Sequence, residues 1–144
     1  MPNYVLNSLT FSVEDSTEDI LEYIRGKTEF DFDKINPIPP EISEKDLRYW
    51  CIQNWGTKWN AEDIEVTVDD EVRAILFRTP WGPPLEIYTI LSKIFPETLF
   101  EFQFLKESKR YGGAGLVQNG ELTLNNADKK FNRKLYDEIT QTLG

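Results

Sequence analysis

The sequence predicts an α+β fold: one antiparallel sheet with helices packed on it, in the order strand, helix, strand, strand, helix, strand. Two periodicities and the composition point to it. Apolar and polar residues alternate along residues 4–13, 64–68, 72–77 and 99–105, the spacing of half-buried strands. Between them, apolar residues recur three and four apart, the spacing of helices with one buried face. The hydrophobic fraction of 40% and aromatic fraction of 13% supply a core for a single domain of 144 residues.

In residues 4–13, Val5, Leu9, Phe11 and Val13 fall on one face, with Thr10 and Ser12 on the other. Glu14, Asp15 and Ser16 break this strand. Ser16 or Thr17 caps a helix whose first turn carries Glu18 and Asp19, where the helix dipole favours negative charge. Ile20, Leu21 and Ile24 form its apolar stripe, and Gly26 ends it. Pro37, Pro39 and Pro40 then exclude a central strand and a regular helix. Phe30, Phe32, Ile35 and Ile38 are too apolar for a solvated linker, so residues 30–43 are expected to form an extended strap packed on the body.

Ser43 and Asp46 make a capping pair for a helix in which Leu47, Trp50, Cys51 and either Asn54 or Trp55 follow helical spacing up to Gly56. Ile64, Val66 and Val68 alternate with Glu65 and Thr67. Asp69, Asp70 and Glu71 turn the chain into an antiparallel partner, residues 72–77, which is apolar on both faces. After a proline-rich corner at residues 80–84, Leu85, Ile87, Tyr88, Ile90, Leu91, Ile94 and Phe95 give a helix a wide buried face, and Pro96 stops it. Phe100, Phe102 and Phe104 line one side of the next strand, with Glu101 and Gln103 on a solvated side. Gly112, Gly113 and Gly115 suggest a bulge or a close strand crossing. Asn119-Gly120 is a two-residue hairpin signal. A last helix is expected from Asn126 or Ala127, docking through Phe131, Leu135, Ile139 and Leu143.

This element order is that of the ferredoxin-like fold. The expected organisation is a single domain over residues 1–144, with an insertion at 28–60 and a C-terminal extension at 107–144. No apolar run approaches the roughly 18–20 residues of a membrane span, and the first residues lack the pattern of a signal peptide. The lone Cys51 cannot form an internal disulfide, which suits a reducing compartment. A cytoplasmic location is therefore expected.

The formal net charge is −9, from 25 acidic and 16 basic residues. Such a surface repels phosphates, so direct nucleic-acid binding is disfavoured and a basic partner is attracted. The chain has no histidine, which removes Ser-His and Cys-His pairs, histidine bases and ordinary zinc sites. Cys51 lies in an apolar helical stripe and reads as a buried hydrophobe. Asp31 and Asp33 point to one side if their segment is extended, but no cation-binding motif surrounds them. The glycines at 112–115 lack the Gly-Lys-Ser/Thr ending of a phosphate loop. No catalytic residue, metal or cofactor is expected.

Three of the four tryptophans fall within residues 49–61, and Trp81 lies in the second aromatic patch, FRTPWGPP. The two stretches are expected to meet in space. Trp55, Lys58, Trp59, Asn60 and Trp81, with Asp31 and Asp33, are the candidate binding residues. They form either a recognition surface or a small core tying the inserted helix to the proline corner.

These motifs resemble those of the YubB-like, ferredoxin-fold family of plasmid and phage proteins. The resemblance rests on Met1-Pro2-Asn3, the strap from Phe30 to Pro40, the Trp-Gly-Thr-Lys-Trp-Asn-Ala block from Trp55 to Ala61, the corner from Phe77 to Pro84, and the glycines after Tyr111. Tyr4-Val5 departs from the Trp or Cys frequent there. The resemblance implies a ferredoxin-like fold and a mobile-element origin, but no activity. The expectation that follows is a non-enzymatic protein that binds and inhibits a host protein, an anti-defence inhibitor of a CRISPR or restriction effector that is itself basic. Two alternatives stand beside it: a small-ligand binder or enzyme using Lys58 and a carboxylate in a cleft between the tryptophan stretch and the proline corner, and a homo-oligomeric structural module.

Overall fold

The computed structural model describes residues 3–12 and 17–144. Met1, Pro2, Val13 and the break and Ser16 cap expected at residues 14–16 lie outside the described residues. The order of elements is β1 (Tyr4–Ser12), α1 (Thr17–Ile24), α2 (Phe32–Ile35), α3 (Glu44–Trp55), β2 (Glu62–Val68), β3 (Val72–Pro80), α4 (Leu85–Ile94), β4 (Phe100–Lys106), β5 (Tyr111–Gln118), β6 (Glu121–Asp128) and α5 (Arg133–Leu143). The strands form one antiparallel sheet in the order β2-β3-β1-β4-β5-β6. The first four positions are the ferredoxin-like arrangement, and the β5–β6 hairpin continues the sheet beyond β4.

The alternation in β1 divides the sheet into two faces. Val5, Leu9 and Phe11 are buried on one, joined by Ile75 and Phe77 of β3 and Phe100 and Phe102 of β4. The principal core gathers here, with Ile20 and Ile24 of α1 and Ile87, Tyr88 and Leu91 of α4. Gly113 and Gly115 stand opposite Phe104 and Phe102 in the β4–β5 register. Their missing side chains make room for those rings, so the glycine-rich segment is a regular strand at a close approach and not a bulge. A shift of register lies instead in edge strand β2, between Glu62 and Glu65.

On the other face a smaller core joins Leu105 and Ala127 to Tyr136 and Ile139 of α5. The sequence placed the start of this helix too early. Residues to Asp128 complete β6, because their backbone pairs with β5 as far as Tyr111. The helix begins at Arg133 after Asn132 in a left-handed conformation. Phe131 therefore precedes the helix and is exposed, and Tyr136 takes its place in the docking stripe. Gln103, expected on a solvated side, is half-buried there.

The Asn119-Gly120 turn is as the sequence predicts, with φ of 49° and 82°. Gly56 caps α3 at φ 88°, a left-handed conformation that glycine adopts without strain. Gly26 has no such conformation; α1 has already ended at Ile24. In α4, Ile87, Tyr88 and Leu91 are buried but Ile94 is exposed, so the buried face is narrower than its composition suggests. No helix among the described residues is long and apolar enough to cross a membrane.

Candidate functional site

The strap forms a layer of its own between the sheet and α3. Phe30 meets Phe77 of the sheet edge-on at 5.0 Å between ring centres. Phe32 meets Phe30 at 5.1 Å and Trp55 at 5.7 Å, and Trp55 meets Trp50 at 5.7 Å. Edge-to-face contacts at these distances are favourable for aromatic rings. Trp55 is buried, and its indole N–H donates to the Asn36 carbonyl at 2.9 Å.

The strap is not uniformly extended. Residues 32–35 turn into a short helix, because Asp31 caps it: the Asp31 carboxylate accepts the Asp33 N–H at 3.0 Å. The prolines lie beyond this turn and do not oppose it. The two carboxylates consequently do different things. Asp31 also accepts the Asn60 side-chain amide at 2.8 Å and the Lys27 N–H at 3.1 Å. Burial alone would raise its pKa, but the hydrogen bonds from Asn60, Lys27 and Asp33 outweigh burial and hold it below the usual aspartate value. Asp33 accepts the Ile38 N–H at 2.7 Å.

Asn60 is the strap's brace. Its carbonyl oxygen accepts the N–H groups of Phe32 and Ala61, each at 2.9 Å, while its amide donates to Asp31. Asp31 accepts three hydrogen bonds and Asn60 accepts two and donates one, so both hold the backbone in shape.

Beside this brace opens a cleft of about 530 Å3. Ile38, Leu47, Cys51 and Trp55 give it an apolar wall, Asp31, Asp33 and Asn60 one polar side, and Lys27, Arg48, Lys58 and Trp59 the rest. Ligand pockets have this size and this mixture of apolar wall and few polar groups. Of the residues singled out in the sequence, Asp31, Asp33, Trp55, Lys58, Trp59 and Asn60 all line this cavity. Trp81 does not. The cleft lies between the strap and α3, and not against the proline corner as the sequence suggested.

The two tryptophan stretches nevertheless meet at Lys58. Its ammonium sits 4.3 Å from the centre of the Trp81 ring. Trp81 is exposed and has a φ of 72°, an uncommon conformation for a bulky residue. Its backbone is clamped, with its N–H donating to the Asn3 carbonyl and its carbonyl accepting from Lys106. Arg48, which sequence reasoning missed, lies 5.7 Å from the Trp59 ring centre. Its signal was available, since Arg48 is one helical turn from Cys51 and Ile52 on an otherwise apolar stretch. Lys27 was hidden because the loop after α1 offers no periodicity.

The Cys51 thiol is buried, and burial with the nearby Asp33 charge pushes its pKa up. That is the opposite of what a nucleophilic thiolate needs. Among the described residues no cluster of three metal-ligating side chains occurs.

The chain belongs to the family described as the ferredoxin-like domain in Api92-like protein, whose pattern matches residues 54–143. That stretch runs from the end of α3 through α5 and includes the Trp55–Ala61 block. Among solved structures, the chain is similar to a protein api92 from Yersinia pseudotuberculosis, with 16% identity and a TM-score of 0.49. The alignment covers 76% of this chain and 39% of that one, so the chain spans well under half the length of its structural neighbour. No curated protein matches the chain.

Proposed function

We propose that the protein is a non-enzymatic binding protein and that the cleft between the strap and α3 holds its ligand. The observation that carries this reading is the cleft itself, a concavity of about 530 Å3 walled by Trp55, Trp59 and aliphatic side chains. A binding role without catalysis is supported by the way the polar residues are used. Asp31 and Asn60 are committed to backbone hydrogen bonds, and Cys51 is kept as a thiol. The test is a fragment screen read by fluorine NMR on fluorotryptophan-labelled protein. Fragments that shift the Trp59 resonance, and lose their effect in Leu47→Trp, where the cleft is filled, are the expected result. A diverse library that leaves Trp59 unmoved would sink the reading.

A second reading, interception of a basic host protein, is favoured by the acidic end of the sheet. Arg73 gathers Glu18 and the Asp69 carbonyl around its guanidinium, at 3.7 and 2.7 Å, and Asp70 and Glu71 adjoin them at the surface. The resemblance to YubB-like plasmid and phage proteins supports the mobile-element setting for it, with an anti-defence role as its sharpest form. Capture of a partner at low salt that is lost in Asp69→Lys/Asp70→Lys/Glu71→Lys would support it; a partner indifferent to both salt and charge reversal would remove it.

A further inference from the structure

We infer that the ligand of the cleft is a small molecule with a flat apolar body and an anionic oxygen group, received by Lys58 and Arg48 with Lys27 nearby. This inference rests on the cleft being the binding site and adds the chemistry that it selects. The protein carries −9 overall, yet this concavity is lined by three cations, Lys27, Arg48 and Lys58, against two carboxylates, Asp31 and Asp33. Asp31 is further compensated by three N–H donors. None of the three cations makes an ion pair with a described residue, so their charge is not already taken up by a neighbouring carboxylate within salt-bridge distance. In an acidic protein, unpaired cations beside an apolar wall are placed to meet a charge that arrives from outside.

Two of these cations are also held in position. Arg48 lies over Trp59 and Lys58 over Trp81, so both side chains lose less freedom on binding than solvated ones would. This gives the exposed Trp81 a role: its clamped, left-handed backbone fixes a ring against the Lys58 ammonium. Trp81 is a positioning residue, since it does not line the cavity. The apolar wall formed by Ile38, Leu47, Trp55 and Trp59 suits a planar ring system.

The experiment compares three probes of one shape: naphthoate, naphthylmethanol and naphthylmethylamine, titrated into the intact protein and read on the Trp59 resonance and by calorimetry. Naphthoate is expected to bind about tenfold more tightly than the alcohol, as for a hydrogen bond to a charged group, and to weaken with salt. Lys58→Gln with Arg48→Gln is expected to bring naphthoate down to the affinity of the alcohol. Trp81→Gly, which relaxes the backbone while removing the ring, is expected to keep the fold and cut the preference for naphthoate about threefold, roughly half of the charged contact. An amine that binds as tightly as naphthoate overturns the anionic assignment while leaving the cleft as a binding site. A preference that survives Lys58→Gln with Arg48→Gln overturns it too. An unchanged preference in Trp81→Gly removes the positioning role. If no probe moves Trp59, the cleft reading falls and this inference falls with it.

Discussion

On the face of the sheet that carries α1 to α4, Phe77 is covered by the strap and then by α3, while Phe102 packs directly against Tyr88 of α4. On the opposite face α5 covers Leu105, Ala127 and the half-buried Ala114, while Leu116 stays exposed. The two sides are made from strands of the same alternation, and they differ in what the chain lays over them. The inserted segment thickens one side into three layers and, in doing so, creates the cleft between its outer two. The side covered by a single helix has a core of four buried residues, and among the described residues it includes one aromatic ring, that of Tyr136. Thickness and function thus share a cause: the strap that deepens the core also walls the candidate site.

The largest expected effect tests the thick side. Trp55→Ala removes a buried ring at the centre of the strap–helix contact and should cost about 3–5 kcal/mol, measured by denaturant unfolding. Asn60→Ala leaves the Phe32 N–H without its acceptor and removes one of the three donors to the Asp31 carboxylate, and should cost about 2–3 kcal/mol. On the thin side, Ile139→Ala should cost about 2 kcal/mol, the low end for a buried isoleucine, because a single docked helix can settle into the space. An Ile139→Ala penalty equal to that of Trp55→Ala would abolish the contrast.

Acid should also act on the thick side first. Asp31 titrates below its ordinary value of 3.8, so its contribution is complete above that pH and is lost as the pH falls through the lower folded value. Asp31→Asn should therefore be less stable than the parent at neutral pH and lose less stability below about pH 4. The smallest effect sharpens the comparison within one strand. Leu116→Ser, on the outer face, should lie within about 0.5 kcal/mol of the parent, whereas Val117→Ser, one residue on and fully buried, should cost about 2 kcal/mol.

Much of this was legible in the sequence. The alternation in β1 and β3 placed their core residues on one face, and Ser43, Gly56 and Asn119-Gly120 marked their caps and turn. The candidate residues in the strap and in the Trp55–Ala61 block proved to line one concavity because strap and helix are joined by aromatic rings whose types are visible in the chain. What escaped was decided by long-range pairing. Residues 126–128 adjoin the apolar repeat of the last helix, but strand β5 offers them a continued ladder of hydrogen bonds, so β6 runs on to Asp128. Asp31 and Asp33 both line the cleft, but a cap, invisible to alternation, turns the strap between them, so they reach it from a helical turn and not from an extended segment. Trp81 was grouped with the cleft from its neighbours in sequence, but it touches Lys58 without lining the cavity.

The position of β1 has a further consequence, for synthesis. This strand lies between β3 and β4, pairing Tyr4 with Pro80 on one side and Val5 with Lys106 on the other. One partner follows it by about half of the chain's length and the other by about two thirds. A nascent polypeptide leaving the ribosome thus carries its central strand unpaired while the local hairpins, β2–β3 and β5–β6, can close as soon as they emerge. Contacts of such long sequence separation form slowly, and an unpaired apolar strand is a point of misassociation in the meantime. Chains released before residue 106 should be captured by chaperones at β1, and completion of β4 should end that vulnerability.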